Sequence, residues 1–272
     1  MNYIKNVSAP FPDAICGLTK LENLEIYTFP GLHGPIPSCI TKLANLSNVI
    51  IRGTSVSGGV PSFSNNTNLN SINLVGNHLS GTIPPSLSTL PNLRFLGLSQ
   101  NHLTGTIPPG IVSGRSPILW LGHNNLTGEI PKSYGLVDFF YINVEYNQLS
   151  GDASFLFGKH KNTTEILLNN NDFEFDLSYV EFSDKLNSLD LSHNKIYGKV
   201  PEFIASSTEL IYFYVPFNRL CGELPKGFNM WRFSAGDFEN NKCLCGDPLP
   251  PCFNSAPAPA PAPAPALEST TP

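Results

Sequence analysis

The feature that most limits what this chain can fold into is a repeat. The segment NLRFLGLSQNHLTGTIP at residues 92–108 returns, with drift, along most of the sequence. Aligning the NxLxG core puts Asn77, Asn101, Asn124, Asn147, Asn171, Asn194 and Asn218 in register, at steps of 24, 23, 23, 24, 23 and 24 residues. A period that tight over seven copies specifies a stack of equivalent coils, each burying its apolar face only against its neighbours.

Within a coil the order of residue types fixes the local path. Two apolar residues alternate with outward neighbours, as in Leu24/Ile26, Leu96/Leu98 and Phe213/Val215, which is the period of a strand. With Tyr3-Ile4 as a partial first strand, ten parallel strands at roughly 4.8 Å would form a concave sheet about 45 Å long. An Asn follows, where a buried amide can satisfy backbone groups of adjacent coils at the strand-to-loop corner. Thr54 takes this place in one coil and Pro30 sits near it in another, which predicts weaker packing at the N-terminal end. Gly then serves a tight turn, an Ile/Val/Leu-Pro step starts a short second sheet, and a helical turn such as SLSTL at 86–90 closes the coil. The fold class is therefore α/β: a right-handed leucine-rich-repeat solenoid of about ten repeats. The Asn171 repeat reads DFEFDLSYVEF, without Gly or Pro, and should be locally irregular. The solenoid is expected over residues 1–227, a C-terminal cap over 228–254 and a disordered Ala-Pro-rich tail over 255–272.

Composition narrows compartment and partner. A net charge of −5 with 14% charged residues offers no basic stripe for nucleic acid, and no run of 18 apolar residues exists to span a membrane. Six cysteines, four of them crowding the C-terminal end, lack zinc-knuckle spacing and suit disulfides. Cys16 and Cys39 lie on adjacent coils two positions out of register, so a bond between them is left open. Five N-x-[ST] sequons, at Asn6, Asn45, Asn65, Asn125 and Asn162, add to the case for a secreted chain. MNYIKNVSAPFP carries no apolar leader, so Met1 is expected to be an internal or truncated start. The Ala-Pro run resembles arabinogalactan glycomodules of plant walls; a bland spacer is the alternative.

Longer segments carry a more specific resemblance. GDASFLFG at 151–158, EFDLSYVEF at 174–182, SLDLSHNKIYGKVP at 188–201, NRLCGELP at 218–225 and NKCLCGDPLPPC at 241–252 resemble plant polygalacturonase-inhibiting proteins, as do the GxIP steps and the one-residue insertion before GPIP at 34–37. On that resemblance, the family's cysteine-bearing N-terminal cap is expected to be missing from the chain as given. The resemblance implies pairing of Cys221 with Cys243 and of Cys245 with Cys252. It also implies a monomeric, non-catalytic protein of the plant cell wall, without cofactor or metal, whose concave face binds fungal endopolygalacturonases. A plant antifreeze protein resembles the same family, so the fold by itself does not decide function.

Strand register supplies the candidate binding face: Glu25, Arg52, Asn73, Phe95, Trp120, Tyr141, Asn143, Glu145, Glu165, Leu167, Asp190, Tyr212 and Tyr214 point outward. Aromatic side chains on an open sheet mark interfaces, because Trp and Tyr dominate binding hot spots. Members of the family typically present several concave aspartates; Asp190 matches, whereas Asn73, Asn143 and Leu167 stand where Asp is common. Lys159-His160-Lys161 is a basic cluster that could touch pectin or simply form a solvated loop. No GxSxG, HExxH, GxGxxG or P-loop motif occurs, and a carboxylate pair such as Glu145 and Glu165 on an open face should shift little in pKa. His78 and His102 share one repeat position, as do His123 and His193; surface imidazoles are expected, not metal ligands. Ice binding and peptide or receptor-ligand recognition stand as alternatives to inhibition. Ice would require a flat, regular Thr/Asn array, which neither the internal Asn positions nor the mixed concave columns supply.

Overall fold

The computed structural model describes residues 8–252. Tyr3-Ile4, the Asn6 sequon and the Ala-Pro run lie outside the described residues. Each Leu-x-Leu alternation forms a strand, and nine of them stack in parallel in chain order, from Asn23–Tyr27 through Phe95–Gly97 and Ile118–Trp120 to Tyr212–Tyr214. Partners across this sheet are equivalent repeat positions: Phe95 faces Ile118, Ile118 faces Tyr141, and Tyr141 faces Glu165. The inward residues join one continuous core running from Phe11 to Phe238.

The second sheet is larger than expected and begins earlier. Eight parallel strands, including His78–Thr82, His102–Gly105 and Asn125–Glu129, form one layer. They cover the residues around the repeat glycine and end before the apolar-Pro step. The alternation decides this: Leu79, Leu103 and Leu126 point inward and are fully buried, while their neighbours are exposed. Proline, which lacks an N–H, instead stands just ahead of the closing 3-10 turns, as Pro84 does before Pro85–Thr89. The layer breaks where DFEFDLSYVEF interrupts the pattern. Asp172–Phe173 is its last strand, and a separate three-stranded sheet begins at Tyr197–Gly198.

Buried amides bind the coils together. Asn124 is typical: Nδ2 donates to Leu121 O (3.0 Å) in its own coil and to Leu98 O (3.0 Å) in the preceding one, while Oδ1 accepts from Leu103 N (3.0 Å). Thr54 also enters this ladder, its hydroxyl bonding Asn77 Oδ1. The ladder runs one step further than the alignment of NxLxG cores. Asn241, 23 residues after Asn218, donates to Val215 O and Phe238 O and accepts from Leu220 N. The segment after Phe228 thus supplies a further coil edge, with Phe238 buried against Phe213 and Phe233. Disulfides Cys221–Cys243 and Cys245–Cys252 fasten this end, and Cys16–Cys39 fastens the other.

Candidate functional site

The concave columns do not all present what their register suggests. Phe95, Trp120 and Tyr141 occupy neighbouring strands and pack edge to face, with ring centroids 5.0 and 5.7 Å apart. Phe95 leans over one position that has no side chain, and Asn143 itself leans over another. A Cβ at Gly97 would stand 2.9 Å from the Phe95 ring, and one at Gly122 would stand 2.4 Å from Asn143 Oδ1. Two expected contact residues are covered as a result: Asn73 is 8% exposed and Asn143 is 9% exposed. Asn143 is consumed locally, accepting from Glu145 N (3.1 Å) and donating to Glu145 Oε1 (3.0 Å). These two asparagines shape the floor of the face and do not form its outer surface. Their burial leaves little of either side chain on the open face.

Leu167 and the three aromatic residues are half-buried, and Glu25, Arg52, Tyr212 and Tyr214 are exposed. The Trp120 indole N–H is buried without a hydrogen-bond partner among the described residues. A buried donor left unpaired is a cost that folding alone would select against, so it marks this position for attention.

Beside the aromatic cluster lies a strip of carboxylates from three successive coils: Glu145, Glu165 and Asp190. Asp190 Oδ1 accepts from Ser192 N (2.9 Å) and Ser192 Oγ (2.7 Å). Burial nevertheless raises its pKa above the ordinary value, the Ser192 bonds pull it back, and the charge of Glu145 pushes it further up. Glu165 is raised as well, first by burial and then by Glu145. The shifts on this face run upward at both Glu165 and Asp190, with burial as the first cause in each. Partial burial on the curved sheet removes some of the water that would favour the charged forms. Glu145 is also 3.6 Å from His123 Nε2. What results is an apolar, aromatic patch edged with negative charge, suited to a partner surface carrying exposed basic side chains.

Other candidates resolve differently. Lys161, the last residue of the basic cluster, is half-buried; its ammonium donates to Gly135 O (3.0 Å) and Phe155 O (3.3 Å), and burial lowers its pKa. It ties a loop to the convex side, leaving only Lys159 and His160 exposed as a basic surface. Among the sequons, Asn45, Asn65 and Asn125 are exposed. Asn162 is half-buried, with its amide nitrogen bonded to Asp138 Oδ2 at 2.5 Å. Sequence reasoning also passed over a row of hydroxyls: Ser57, Ser80, Thr104, Thr127 and Ser150 each stand three residues after the corner residue of their coil. All five are at least partly exposed on the second sheet. The constant offset was available in the sequence; what hid it was the expectation that the strand began later.

Comparison with known proteins fits this architecture. The family profile described as Leucine Rich Repeat matches residues 68–90, 92–113 and 185–207. Polygalacturonase inhibitor 2 of Arabidopsis thaliana is 45% identical over 144 residues, 53% of this chain and 43% of that protein. Leucine-rich repeat protein FLOR 1 of the same plant is 40% identical over 249 residues, 90% of this chain and 76% of that protein. The chain belongs to the plant leucine-rich-repeat proteins of the polygalacturonase-inhibitor type. The match covers less than half the length of the inhibitors themselves, 43% and 35% for the two from Arabidopsis. Among solved structures, a plant ice-binding protein superposes with a TM-score of 0.87 at 41% identity, covering 92% of this chain and 81% of that one. The plant peptide hormone receptor RGFR1 follows at 0.72 and 27%, covering 38% of the receptor chain.

Proposed function

We propose that this protein binds and inhibits microbial endopolygalacturonases through its concave face, as a secreted, non-catalytic component of plant defence in the cell wall. The observation that carries the reading is the Phe95–Trp120–Tyr141 cluster bordered by Glu145, Glu165 and Asp190. The rings supply anchors that displace water, and the carboxylates engage basic groups around an enzyme's substrate cleft. The names of the related inhibitors support the same reading. Pectin is a weaker expectation, because Lys161 is spent on structure.

The test is inhibition and calorimetric binding across a panel of fungal endopolygalacturonases. Saturable binding to at least one enzyme is expected, weakened at least tenfold by Trp120→Ala and by Asp190→Ala, a loss of about 1.4 kcal/mol or more. Full activity of the whole panel at micromolar inhibitor would sink the reading.

The row Ser57, Ser80, Thr104, Thr127 and Ser150 favours a second reading, ice binding through the second sheet, which the likeness to the ice-binding structure supports. Under that reading the chain arrests ice recrystallisation and Thr104→Tyr abolishes the effect. Crystal growth unaffected by the wild-type chain would exclude it.

A further inference from the structure

Where the concave strands end, the residue just before each ladder asparagine takes a left-handed backbone conformation. Gly76 (φ 70°), Gln100 (58°), His123 (56°), Tyr146 (48°), Asn170 (54°), His193 (53°) and Phe217 (57°) form the series. Glycine and asparagine adopt this conformation readily, whereas bulky aromatic residues seldom do. Backbone strain retained in this way points towards a use for the side chain.

The rings use the position to stack. His123 lies on Tyr146 at 4.3 Å and His193 lies on Phe217 at 4.2 Å, each pair within 12° of parallel. All four are exposed along the rim of the solenoid. Between the two pairs the ladder is interrupted by Asn170, whose coil contributes an amide in place of a ring. Tyr146 and His193 are two coils apart, roughly 9.6 Å at the usual strand spacing. That leaves room for one ring at about the ladder's own spacing. The gap forms a concavity lined by Tyr146, Gln148, Asn170, Asp172 and His193, with the ladder amides Asn147 and Asn171 beneath.

We propose that this notch binds one all-equatorial β-glucopyranose unit, such as a residue of a β-1,4-linked glucan, between the faces of Tyr146 and His193. A site walled by a ring on each side requires a ligand with two apolar faces. In β-glucose all ring hydroxyls are equatorial, so axial C–H groups cover both faces and the hydroxyls project around the rim. There they meet the amides of Gln148 and Asn170 and the carboxylate of Asp172, which Lys195 holds at 2.7 Å. An axial oxygen at C4, which in a β-1,4-galactan carries the next sugar, would put that oxygen and the chain beyond it against one of the rings. The notch lies on the rim, outside the concave cluster, so this inference does not rest on enzyme inhibition.

The test is a titration of the disulfide-bonded protein with cellohexaose and, separately, with β-1,4-galactohexaose, read by NMR of the His193 and Tyr146 rings and by calorimetry. Saturable binding of cellohexaose with a Kd of about 1 mM is expected, since a single-ring notch falls at the weak end of recognition. Galactohexaose should bind at least tenfold more weakly. Asn170→Tyr fills the gap with the protein's own ring, in a conformation that Tyr146 already adopts. Tyr146→Asn removes one wall and relieves the backbone. Each should weaken cellohexaose binding at least tenfold while circular dichroism stays that of the wild type. Cellohexaose showing no saturation by about 10 mM would overturn the proposal. So would equal affinity for the two sugars, or wild-type affinity in folded Asn170→Tyr.

Discussion

Replacing Asn124 with leucine tests the claim that buried amides hold the coils together. The two side chains are close in size, so Asn124→Leu removes hydrogen bonds without opening a large cavity. One backbone group loses its only partner, Leu103 N at 3.0 Å. Leu98 O and Leu121 O each lose one of two bonds, keeping Asn101 Nδ2 (3.0 Å) and Asn147 Nδ2 (3.1 Å). Asn124 is 8% exposed, so water cannot simply take its place. A buried polar group left unpaired costs about 1–3 kcal/mol. The one orphaned donor, with about 0.5–1.5 kcal/mol for each of the two lost second bonds and an offset of about 1–2 kcal/mol from burying a leucine, should destabilise the chain by about 1–4 kcal/mol. Urea unfolding followed by far-ultraviolet circular dichroism measures the total. Because a solenoid can open locally, hydrogen exchange at the Leu103 amide gives the site-specific readout. Its protection should collapse in Asn124→Leu and persist in the control Asn125→Gln, one residue along and exposed. A total loss below about 1 kcal/mol, or an unchanged Leu103 amide, would refute the reasoning.

Other perturbations follow from individual contacts. The native state holds the Asp190 proton more tightly than the unfolded chain does, so its ionisation lowers stability as pH rises from the ordinary carboxylate range through the raised native value. Asp190→Asn keeps the Ser192 bonds and should flatten the fall in melting temperature as pH rises above the ordinary carboxylate range; an unchanged slope would contradict the assigned burial. Gly227→Ala would place a Cβ 2.4 Å from the Ala205 carbonyl oxygen, backbone that cannot swing away. A loss of about 1–3 kcal/mol is expected in chemical denaturation, and wild-type stability would show that the two segments separate freely. Replacing Cys221 and Cys243 together by serine opens a closure of 22 residues and should cost about 3 kcal/mol, read from the urea midpoint under oxidising conditions. A midpoint equal to that of the wild type would mean the strand pairing alone fastens this end.

The period of 23–24 residues was sufficient to establish the solenoid, because no other arrangement buries Leu96, Leu98 and their equivalents at every coil. The corner asparagines were equally legible, since a side-chain amide offers two donors and an acceptor at one spot. Even the break in the second sheet could be read from the missing Gly and Pro of the Asn171 repeat. These are properties of a coil and its immediate neighbours, and sequence spacing encodes them directly. Alternation also says which residues leave the sheet outward. It does not say which of them reach solvent.

That was decided in three dimensions. Asn73 and Asn143 share a column with Trp120 and Asp190, yet they lie covered because Gly97 and Gly122 leave hollows into which neighbouring side chains lean. Lys161 is basic in sequence and a loop tie in structure, because three backbone carbonyl oxygens converge on its ammonium. Cys16 and Cys39, out of register along the chain, come together since each lies in the closing turn of its coil. Asp190 and Glu165 owe their raised pKa values first to burial and then to Glu145, which is 45 and 20 residues away in sequence. The sequence by itself determined the scaffold, since each coil carries its own instructions. Exposure, charge state and the shape of the binding face emerged only from stacking, which brings together side chains that no period relates.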